Sequence, residues 1–250
     1  MPSLSVIIIT KNEASNIRAC LESVAWADEI IAVDSGSTDD TVSICKAMGA
    51  RVYVYTDWPG FGQQKNRALS YATKDWVLSI DADERVTPEL RTELIRAMNE
   101  GHASGYYLPR LSQFCGASIH HSGWYPDYVL RLFRRDAGRF SDNLVHESVL
   151  LTGRTAKLKS PLLHYSYLTI DDVERKVEHY STAAAQQMFQ SGKQSSWLDA
   201  ALRAGWAFVR TYFLRLGVLD GSAGLNIARM NARTTYLKYR KLEALRSAAH

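Results

Sequence analysis

The chain has 250 residues, of which 46% are hydrophobic and 22% are charged, and its formal net charge at pH 7 is +4. This composition is ordinary for a globular protein and provides for one large domain, or one domain with an appendage. The three cysteines form no CxxC pair, so neither a disulfide framework nor a zinc site is indicated, and a reducing compartment fits.

The distribution of apolar and charged residues bears on localisation. The apolar run at 6–9 follows no basic region and predicts a buried strand, not a signal peptide. No stretch reaches the roughly 18 uncharged apolar residues of a transmembrane helix. Residues 201–250 hold nine Lys and Arg against two acids, a net +7, which leaves 21 against 24, a net −3, for residues 1–200. A basic tail of this kind is expected to meet anionic lipid or nucleic acid.

The first hundred residues alternate strand-like and helix-like patterns. Apolar, β-branched runs predict four buried strands, at 4–10, 29–34, 51–55 and 76–80. Helical spacing of apolar residues predicts a helix after each strand, and the last of these has Thr87 as its cap, Pro88 at its first position and Gly101 at its end. Such alternation predicts βαβ units and an α/β fold with a mostly parallel sheet flanked by helices.

The pattern changes in the second half of the chain. Strands are predicted at 106–111, 128–134 and 145–151, separated by turns rich in Gly, His and Asp. From Asp171 the pattern is helical to the end, with a polar boundary between two helical pieces at 190–196. The sequence therefore predicts a helical extension after the α/β part.

Two carboxylates, Asp81 and Asp83, follow the fourth predicted strand directly. On extended backbone this spacing points both side chains to one side, and open α/β sheets bind ligands at the carboxyl ends of their strands. Hard oxygen ligands at that edge suit Mg²⁺ or Mn²⁺ holding a diphosphate. The alternative is a chance Asp-x-Asp pair that caps a turn.

Polar loops follow the first two predicted strands at the same edge of the sheet. The first loop contains Thr10, Asn12 and Glu13, and the second begins with Asp34. Carboxylates such as Glu13 and Asp34 can accept from ribose hydroxyls or from a base N–H, and three loops converging on one crevice favour binding. Capping of the following helices is the alternative role for the uncharged members.

A glycine-flanked turn at 60–62 leads into a helix that carries Lys65 and Arg67. Its glycines permit close approach of a ligand to the backbone, and the two cations can meet phosphate. The spacing differs from that of a P-loop, which excludes that motif.

Four motifs in order, Thr-Lys-Asn-Glu at 10–13, Val-Asp-Ser-Gly-Ser-Thr-Asp at 33–39, Lys-Asn-Arg-Ala-Leu at 65–69 and Asp-Ala-Asp-Glu at 81–84, resemble glycosyltransferase family 2. The resemblance covers about 165 residues and implies a GT-A fold and a nucleotide-diphosphate sugar donor. Motifs at 124–128, 131–134, 145–147 and 214–221 are similar to those of the lipopolysaccharide-core β-1,4-glucosyltransferases within the family. A GT-A catalytic domain is thus expected at 1–165, and a basic, amphipathic helical region at 166–250.

The resemblance also implies roles for individual residues. It implies that the nucleoside and donor are held by Thr10, Glu13, Asp34 and Lys65, with Asn12 in the same donor loop, and that Asp81 and Asp83 meet the ribose, the diphosphate and a Mg²⁺ or Mn²⁺ ion. Asp83 is the expected direct metal ligand. The sequence departs from the family pattern at Ser35, where many members have a second acid. The contact that this acid usually makes to the nucleotide base is therefore left open.

An inverting transfer requires a carboxylate on the acceptor side of the anomeric carbon, opposite the departing diphosphate. Glu147, in a Val-His-Glu motif, is the first candidate for this base and Asp127 the second; Glu147 can equally be a surface residue paired with an arginine. His146 is a candidate for positioning substrate or phosphate. His164 is either a third metal ligand or a hydrogen-bonded structural histidine.

The basic tail contains a segment at 197–219 that predicts one amphipathic helix. The apolar arc of this helix comprises Leu202, Trp206, Val209, Phe213 and Leu216. Arg203 and Arg210 line one edge of the arc, as an in-plane membrane helix requires, and the cluster at 238–241 adds attraction to anionic lipid. The alternative is a helix packed on the catalytic domain or on a second subunit.

The leading hypothesis is a metal-dependent inverting glycosyltransferase that moves a hexose, with glucose from UDP-glucose expected, to a heptose of a lipopolysaccharide inner core. It would act on a glycolipid acceptor at an anionic membrane surface, on the cytoplasmic face of a bacterial inner membrane, and bind no nucleic acid. There are two alternatives. One is a glycosyltransferase that uses a polyprenyl-phosphate acceptor, and the other is a non-catalytic membrane scaffold that binds nucleotide sugars.

Overall fold

The structure, a computed structural model, describes residues 2–141 and 148–248. The strands are β1 (Leu4–Thr10), β2 (Glu29–Asp34), β3 (Arg51–Val54), β4 (Trp76–Asp81), β5 (Glu84–Val86), β6 (Gly105–Phe114), β7 (Ala117–Ser118), β8 (Asp127–Arg134), β9 (Gly138–Phe140), β10 (Val149–Leu151), β11 (Thr155–Lys157) and β12 (Leu162–Tyr167). The α-helices are α1 (Ala14–Ser23), α2 (Thr41–Ala47), α3 (Phe61–Ser70), α4 (Pro88–Glu100), α5 (Ile170–Gln190), α6 (Trp197–Val209) and α7 (Gly221–Ser247).

The described residues fall into two compact units. The first lies within Met1–Arg110 and Asp127–His164, and the second within Leu111–Pro126 and Tyr165–His250. The predicted division into domains at 1–165 and 166–250 stays a prediction.

A mixed sheet, most of whose residues belong to the first unit, has the strand order β3-β2-β1-β4-β8-β6-β12-β5. The first four strands of this order pair in parallel, whereas β8 is antiparallel to both β4 and β6. The mostly parallel sheet is therefore confirmed for the first half of the chain. Strands β1 and β4 are buried on both faces, as expected of central parallel strands covered by helices.

Local sequence signals account for most boundaries in this unit. The Thr87 hydroxyl accepts from the backbone N–H of Leu90 at 3.1 Å, Pro88 opens α4, and Gly101 ends it with φ at 63°. The predicted third strand is one residue shorter than expected. Of the predicted strand at 145–151, the structure shows β10, and residues 142–147 lie outside the described part.

The second unit contains α5, α6 and α7. The side chains of Val173 and Val177 on α5 pack with Ala223 and Ile227 on α7, and Phe114 joins the same apolar cluster. In the part of the chain that the structure describes, no helix is long and apolar enough to cross a membrane.

The prediction of one continuous helix over 197–219 is wrong. Helix α6 ends at Val209, a π-helical turn follows over Arg210–Leu214, and a 3-10 turn covers Gly217–Asp220. Between these turns Leu216 has φ at 55°, in the left-handed region that interrupts a right-handed helix. Tertiary contacts of this segment, described below, outweigh its helical pattern.

Candidate active site

Three of the four motifs, those at 10–13, 33–39 and 81–84, emerge at one edge of the sheet, as the sequence predicts. The register pairs Thr10 with Asp34 and Ile9 with Asp81, so the ends of β2, β1 and β4 lie side by side. A cavity of about 430 Å³ opens at this edge. Its lining residues are Ile9, Thr10, Lys11, Glu13, Trp58, Phe61, Asp81, Ala82 and Asp83. We refer to this cavity as the first pocket.

Asp81 and Asp83 both line the first pocket, but their backbone differs from the prediction. Strand β4 ends at Asp81, and Ala82 and Asp83 form a turn before β5 begins. The inference that both carboxylates share one side of an extended strand is therefore wrong. The tight turn is what brings Asp83 to the same cavity.

Asp81 is held by two cations. Its carboxylate accepts from Arg131 Nη2 at 2.5 Å and lies 3.2 Å from Lys65 Nζ. Burial raises the pKa of Asp81, but the charges of Arg131 and Lys65 outweigh that effect and hold the pKa well below its ordinary value. The carboxylate is therefore ionised at any physiological pH.

Arg131 also binds Glu84, which is fully buried. The Nη2 atom of Arg131 donates to Glu84 Oε1 at 2.6 Å, and Glu84 Oε2 accepts the backbone N–H of Asp81 at 2.9 Å. Burial raises the pKa of Glu84, and the charge of Arg131 opposes this rise. Sequence analysis assigned no role to Glu84 or Arg131, because the ion pair joins residues 47 positions apart.

Asp83 lies beside His164, with 3.3 Å between Asp83 Oδ2 and His164 Nε2. Their side chains are 27% and 15% exposed, so a ligand can reach both. A carboxylate oxygen and an imidazole nitrogen at this separation fit two protein ligands of a Mg²⁺ or Mn²⁺ ion whose other positions are taken by phosphate oxygens and water.

The predicted set of three metal ligands is not assembled as such. Across 2–141 and 148–248 the structure has no group of three or more His, Cys, Asp and Glu side chains placed to hold a metal ion. Asp81 is turned instead to Lys65 and Arg131, as described above. The donor set that remains is Asp83 with His164.

Glu13 and Thr10 line the first pocket, whereas Asp34 does not. Asp34 is 1% exposed, and its Oδ1 accepts the backbone N–H groups of Gly36 at 2.9 Å and Ser37 at 2.8 Å. Its Oδ2 accepts from the hydroxyls of Thr10 and Ser37. These contacts close the loop after β2, so Asp34 shapes the edge of the site from beneath.

Asn12 has a similar part in the neighbouring loop. Its backbone N–H donates to Ser37 Oγ at 2.8 Å, and its Oδ1 accepts the backbone N–H of Thr38 at 2.8 Å. The side chain thus joins the first loop to the second. Asn12 is not among the residues that line the first pocket.

Ser35, which stands where many family members have an acid, is buried and hydrogen-bonded. Its hydroxyl accepts from Gln64 Nε2 at 2.9 Å.

Burial raises the pKa of Glu13. The negative charge of Asp83 raises it further, whereas the hydrogen bond that Asn16 donates to Glu13 lowers it. Glu13 is thus the carboxylate among the predicted nucleoside ligands that faces the first pocket.

Two aromatic side chains, to which sequence analysis assigned no role, form a wall of the first pocket. Trp58 and Phe61 are 47% and 46% exposed, and their rings meet edge to face with 4.9 Å between centroids. An exposed aromatic pair beside a polar crevice offers a stacking surface for a planar base. The available signal was the position of two aromatic residues within a polar, glycine-containing loop.

A second pocket of about 440 Å³ shares Asp81 with the first. Its lining residues are Lys65, Asp81, Tyr107, Arg110, Tyr128, Val129, Leu130, Arg131, Phe140, Ser148 and Val149. The buried Nε of Arg131 has no hydrogen-bond partner among the described residues. Cationic and phenolic groups around a cavity suit a hydroxylated or anionic ligand.

Asp127 lies beside the second pocket. Its Oδ2 accepts from Arg110 Nε at 3.0 Å and Nη2 at 2.6 Å, and the two residues are paired across β8 and β6. Its side chain is 43% exposed. The first candidate for the base, Glu147, and the neighbouring His146 lie outside the described residues.

Comparisons with known proteins identify the family of the chain. The model of glycosyl transferase family 2 matches residues 5–148. The lipopolysaccharide core biosynthesis glycosyltransferase LpsC of Rhizobium meliloti is 34% identical over 257 residues, which cover 94% of this chain and 93% of LpsC. An uncharacterized glycosyltransferase of Rickettsia prowazekii is 32% identical over 258 residues, which cover 98% of this chain and 88% of that protein.

Solved structures also resemble the chain. Residues 1–349 of S. aureus TarS match with a TM-score of 0.48 at 16% identity, covering 99% of this chain and 92% of that one. Glucosyl-3-phosphoglycerate synthase of Mycobacterium tuberculosis, in complex with Mn²⁺, UDP and glucosyl-3-phosphoglycerate, matches with a TM-score of 0.39 at 28% identity, covering 45% of this chain and 44% of that one.

Proposed function

The chain belongs to glycosyltransferase family 2 and has the GT-A fold, and on that basis we propose that it transfers glucose from UDP-glucose, with inversion, to a heptose of a lipopolysaccharide inner core. The similarity over nearly the whole chain to LpsC, a lipopolysaccharide core biosynthesis glycosyltransferase, supports this choice of acceptor. The motifs at 124–128, 131–134 and 214–221, which resemble lipopolysaccharide-core glucosyltransferases, support the choice of sugar.

The observation that carries the proposal is that two cavities meet at Asp81. The first pocket, with Glu13, Asp83 and its aromatic wall, would take the nucleotide and diphosphate. The second pocket, with Arg110 and Asp127 at its side, would take the acceptor. A transferase needs two such sites that share the reacting centre.

Asp83 and His164 would hold a Mg²⁺ or Mn²⁺ ion, which when bound neutralises the negative charge that develops on a departing diphosphate. Lys65 and Arg131 keep Asp81 ionised and fixed between the two pockets. This fixed carboxylate can accept hydrogen bonds from hydroxyl groups of the donor. The proton of the acceptor hydroxyl would pass to Glu147 or, as the second candidate, to Asp127.

Substitution of the proposed metal ligand tests this function. Glucose transfer from UDP-glucose to a heptose-containing core acceptor should fall about a thousandfold in Asp83→Asn, because the leaving group loses its charge neutralisation. Asp136→Asn, at an exposed position, is the matched control and should keep wild-type activity. Wild-type transfer by Asp83→Asn in Mn²⁺ would overturn the proposed site. Binding of UDP-glucose without turnover of any nucleotide sugar by the wild type would favour the non-catalytic scaffold.

A polyprenyl-phosphate acceptor is the second candidate, and the cations of the second pocket favour it. Lys65, Arg110 and Arg131 line this pocket, where they also form ion pairs with Asp81, Asp127 and Glu84. A phosphate group bound among these cations would need no base, because its oxygen is already ionised. Transfer assays with both acceptors, using Glu147→Gln and Asp127→Asn, distinguish the two reactions. Loss of transfer in one variant supports a hydroxyl acceptor, and retention in both, with a phosphate acceptor used, supports the alternative.

A further inference from the structure

The segment at 197–219 presents a large apolar surface. Of the nineteen exposed large hydrophobic side chains among the described residues, ten lie in this segment. Leu202, Trp206 and Leu219 are 65%, 58% and 63% exposed. Isolated exposed apolar side chains are ordinary on soluble proteins, but a concentration of this kind marks an interaction surface.

The surface is built by specific contacts and is not a frayed end. The Asp220 carboxylate is 3% exposed and accepts the backbone N–H groups of His120 and His121 as well as the hydroxyl of Ser122 at 2.8 Å. These contacts fix the 3-10 turn at the end of the segment. The short motif at 214–221 therefore has a structural role, which is to hold the broken helix in place.

Two glycines allow the break. A Cβ atom on Gly217 would come within 2.7 Å of the backbone oxygen of Thr211, and one on Gly224 would come within 1.8 Å of the backbone oxygen of Gly217. Neither position accepts a larger residue without displacement of backbone. The close packing leaves Phe213, 54% exposed, and Leu219 on the outer side of the turns.

The charges around this surface are predominantly positive. The segment at 197–219 contains three exposed arginines, Arg203, Arg210 and Arg215, against one acid, Asp199, a net +2. The exposed carboxylate of Asp199, at the start of α6, accepts a hydrogen bond from the Ser196 hydroxyl at 3.1 Å, whereas the carboxylate of Asp220 is buried. A symmetric second copy would bring two such positive regions together and repel, whereas anionic lipid complements them.

We propose that the segment at 197–219 binds an anionic membrane surface, its apolar side chains entering the interfacial region while Arg203 and Arg210 meet lipid phosphates. Tryptophan within an apolar surface, with arginine at its edge, is suited to the boundary between headgroups and acyl chains. This inference does not rest on the sugar, the acceptor or the metal. It would place the enzyme beside a lipid-linked acceptor.

Flotation of the full chain with vesicles tests the proposal. The wild-type protein should float with vesicles of phosphatidylcholine and phosphatidylglycerol, and less with phosphatidylcholine alone. The triple variant Leu202→Ser, Trp206→Ser, Leu219→Ser should lose about a hundredfold in partitioning, because three large apolar side chains no longer leave water. Arg210→Gln should lose roughly fivefold, on anionic vesicles only.

A matched control removes exposed apolar side chains elsewhere in the second unit. Leu168, Ile170 and Tyr180 are 48%, 54% and 55% exposed, and their triple replacement by Ser should leave flotation unchanged. Both triple variants should keep the wild-type melting temperature, measured by circular dichroism. Equal loss in the control, or no flotation of the wild type, would overturn the proposal.

A second measurement separates this surface from a dimer interface. In sedimentation velocity, concentration-dependent dimers that disappear in the Leu202, Trp206, Leu219 variant, without vesicle binding by the wild type, would identify a second copy as the occupant and overturn the proposal. Because flotation needs neither donor nor acceptor, its failure is distinguishable from failure of the proposed transferase activity. Glucose transfer to a soluble core oligosaccharide should be unchanged in the triple variant.

Discussion

Two strands that lie on either side of β1, β2 and β4, both end in an aspartate at the same edge of the sheet, and the surroundings of the two aspartates differ. Asp34, at the end of β2, is closed in by the backbone and hydroxyls of its own loop. Asp81, at the end of β4, meets side-chain cations from α3 and β8 and lines two cavities. The same sequence signature, an acid after a buried strand, thus supports the loop in one case and faces ligand in the other.

The largest effect is expected where the Asp81 region depends on a distant cation. Arg131→Met should lower the free energy of unfolding by about 4 kcal/mol, since it leaves Asp81 and the fully buried Glu84 without their shared partner. Urea denaturation measures this change. Arg139→Met, at the exposed position of β9, is the control and should change stability little. A decrease in the free energy of unfolding no larger than that of the control would mean that the ion pairs of Arg131 do not stabilise the Asp81 region.

The Asp34 loop should respond in stability and not in affinity. Asp34→Ala should lower the free energy of unfolding by about 2 kcal/mol, because buried N–H donors of the loop lose their acceptor. The affinity of the folded variant for UDP, measured by calorimetry, should stay within about threefold of wild type. A selective loss of UDP affinity with unchanged stability would contradict the comparison and return Asp34 to the nucleoside site.

The pH dependence of stability at acid pH distinguishes Asp81 further from Asp34. Its folded pKa lies below the ordinary value of 3.8, so its ion pairs stabilise the protein fully above that pH and lose their effect as the pH falls through the folded value. The stability difference between wild type and Asp81→Asn should therefore be constant near neutrality and shrink below pH 3.8. Urea titrations at several pH values measure it. A difference that grows on acidification would reverse the assigned sign.

The smallest effect is expected at the aromatic wall of the first pocket. Trp58→Ala should weaken UDP binding by about tenfold, from the loss of stacking on a planar base. Tyr180→Ala, at an exposed aromatic residue of the second unit, should not change UDP affinity. Unchanged UDP affinity in Trp58→Ala would mean that Trp58 does not stack on the base and that the polar side chains of the first pocket bind UDP without it.

Several features of the fold were predictable because their causes are local. Buried β-branched runs identified the four parallel strands, and Thr87, Pro88 and Gly101 identified the ends of α4. The motifs also identified the sheet edge, because successive parallel strands present their carboxyl ends together. Of the predicted site residues, Thr10, Glu13, Asp81 and Asp83 line the first pocket.

Other features depend on residues far apart in the chain. The pairing of Arg131 with Asp81 spans 50 positions, and the 99 positions between His121 and Asp220 separate the partners that hold the broken helix. The helical spacing of apolar residues at 197–219 correctly indicates α6. It carries no information about the contacts between Asp220 and His121, so the predicted continuation of the helix to Leu219 was wrong.

By itself the sequence determined the parallel half of the sheet, the edge where polar loops gather and the basic, amphipathic character of the tail. These follow from periodicity, capping and charge, which act over a few residues. Only the tertiary structure decided that Asp34 faces its own loop, that Asp81 stands between two cavities and that the tail helix breaks at Leu216. The physical reason is that burial and ion pairing are settled by the partners that packing brings together, and those partners lie at distances no local pattern spans.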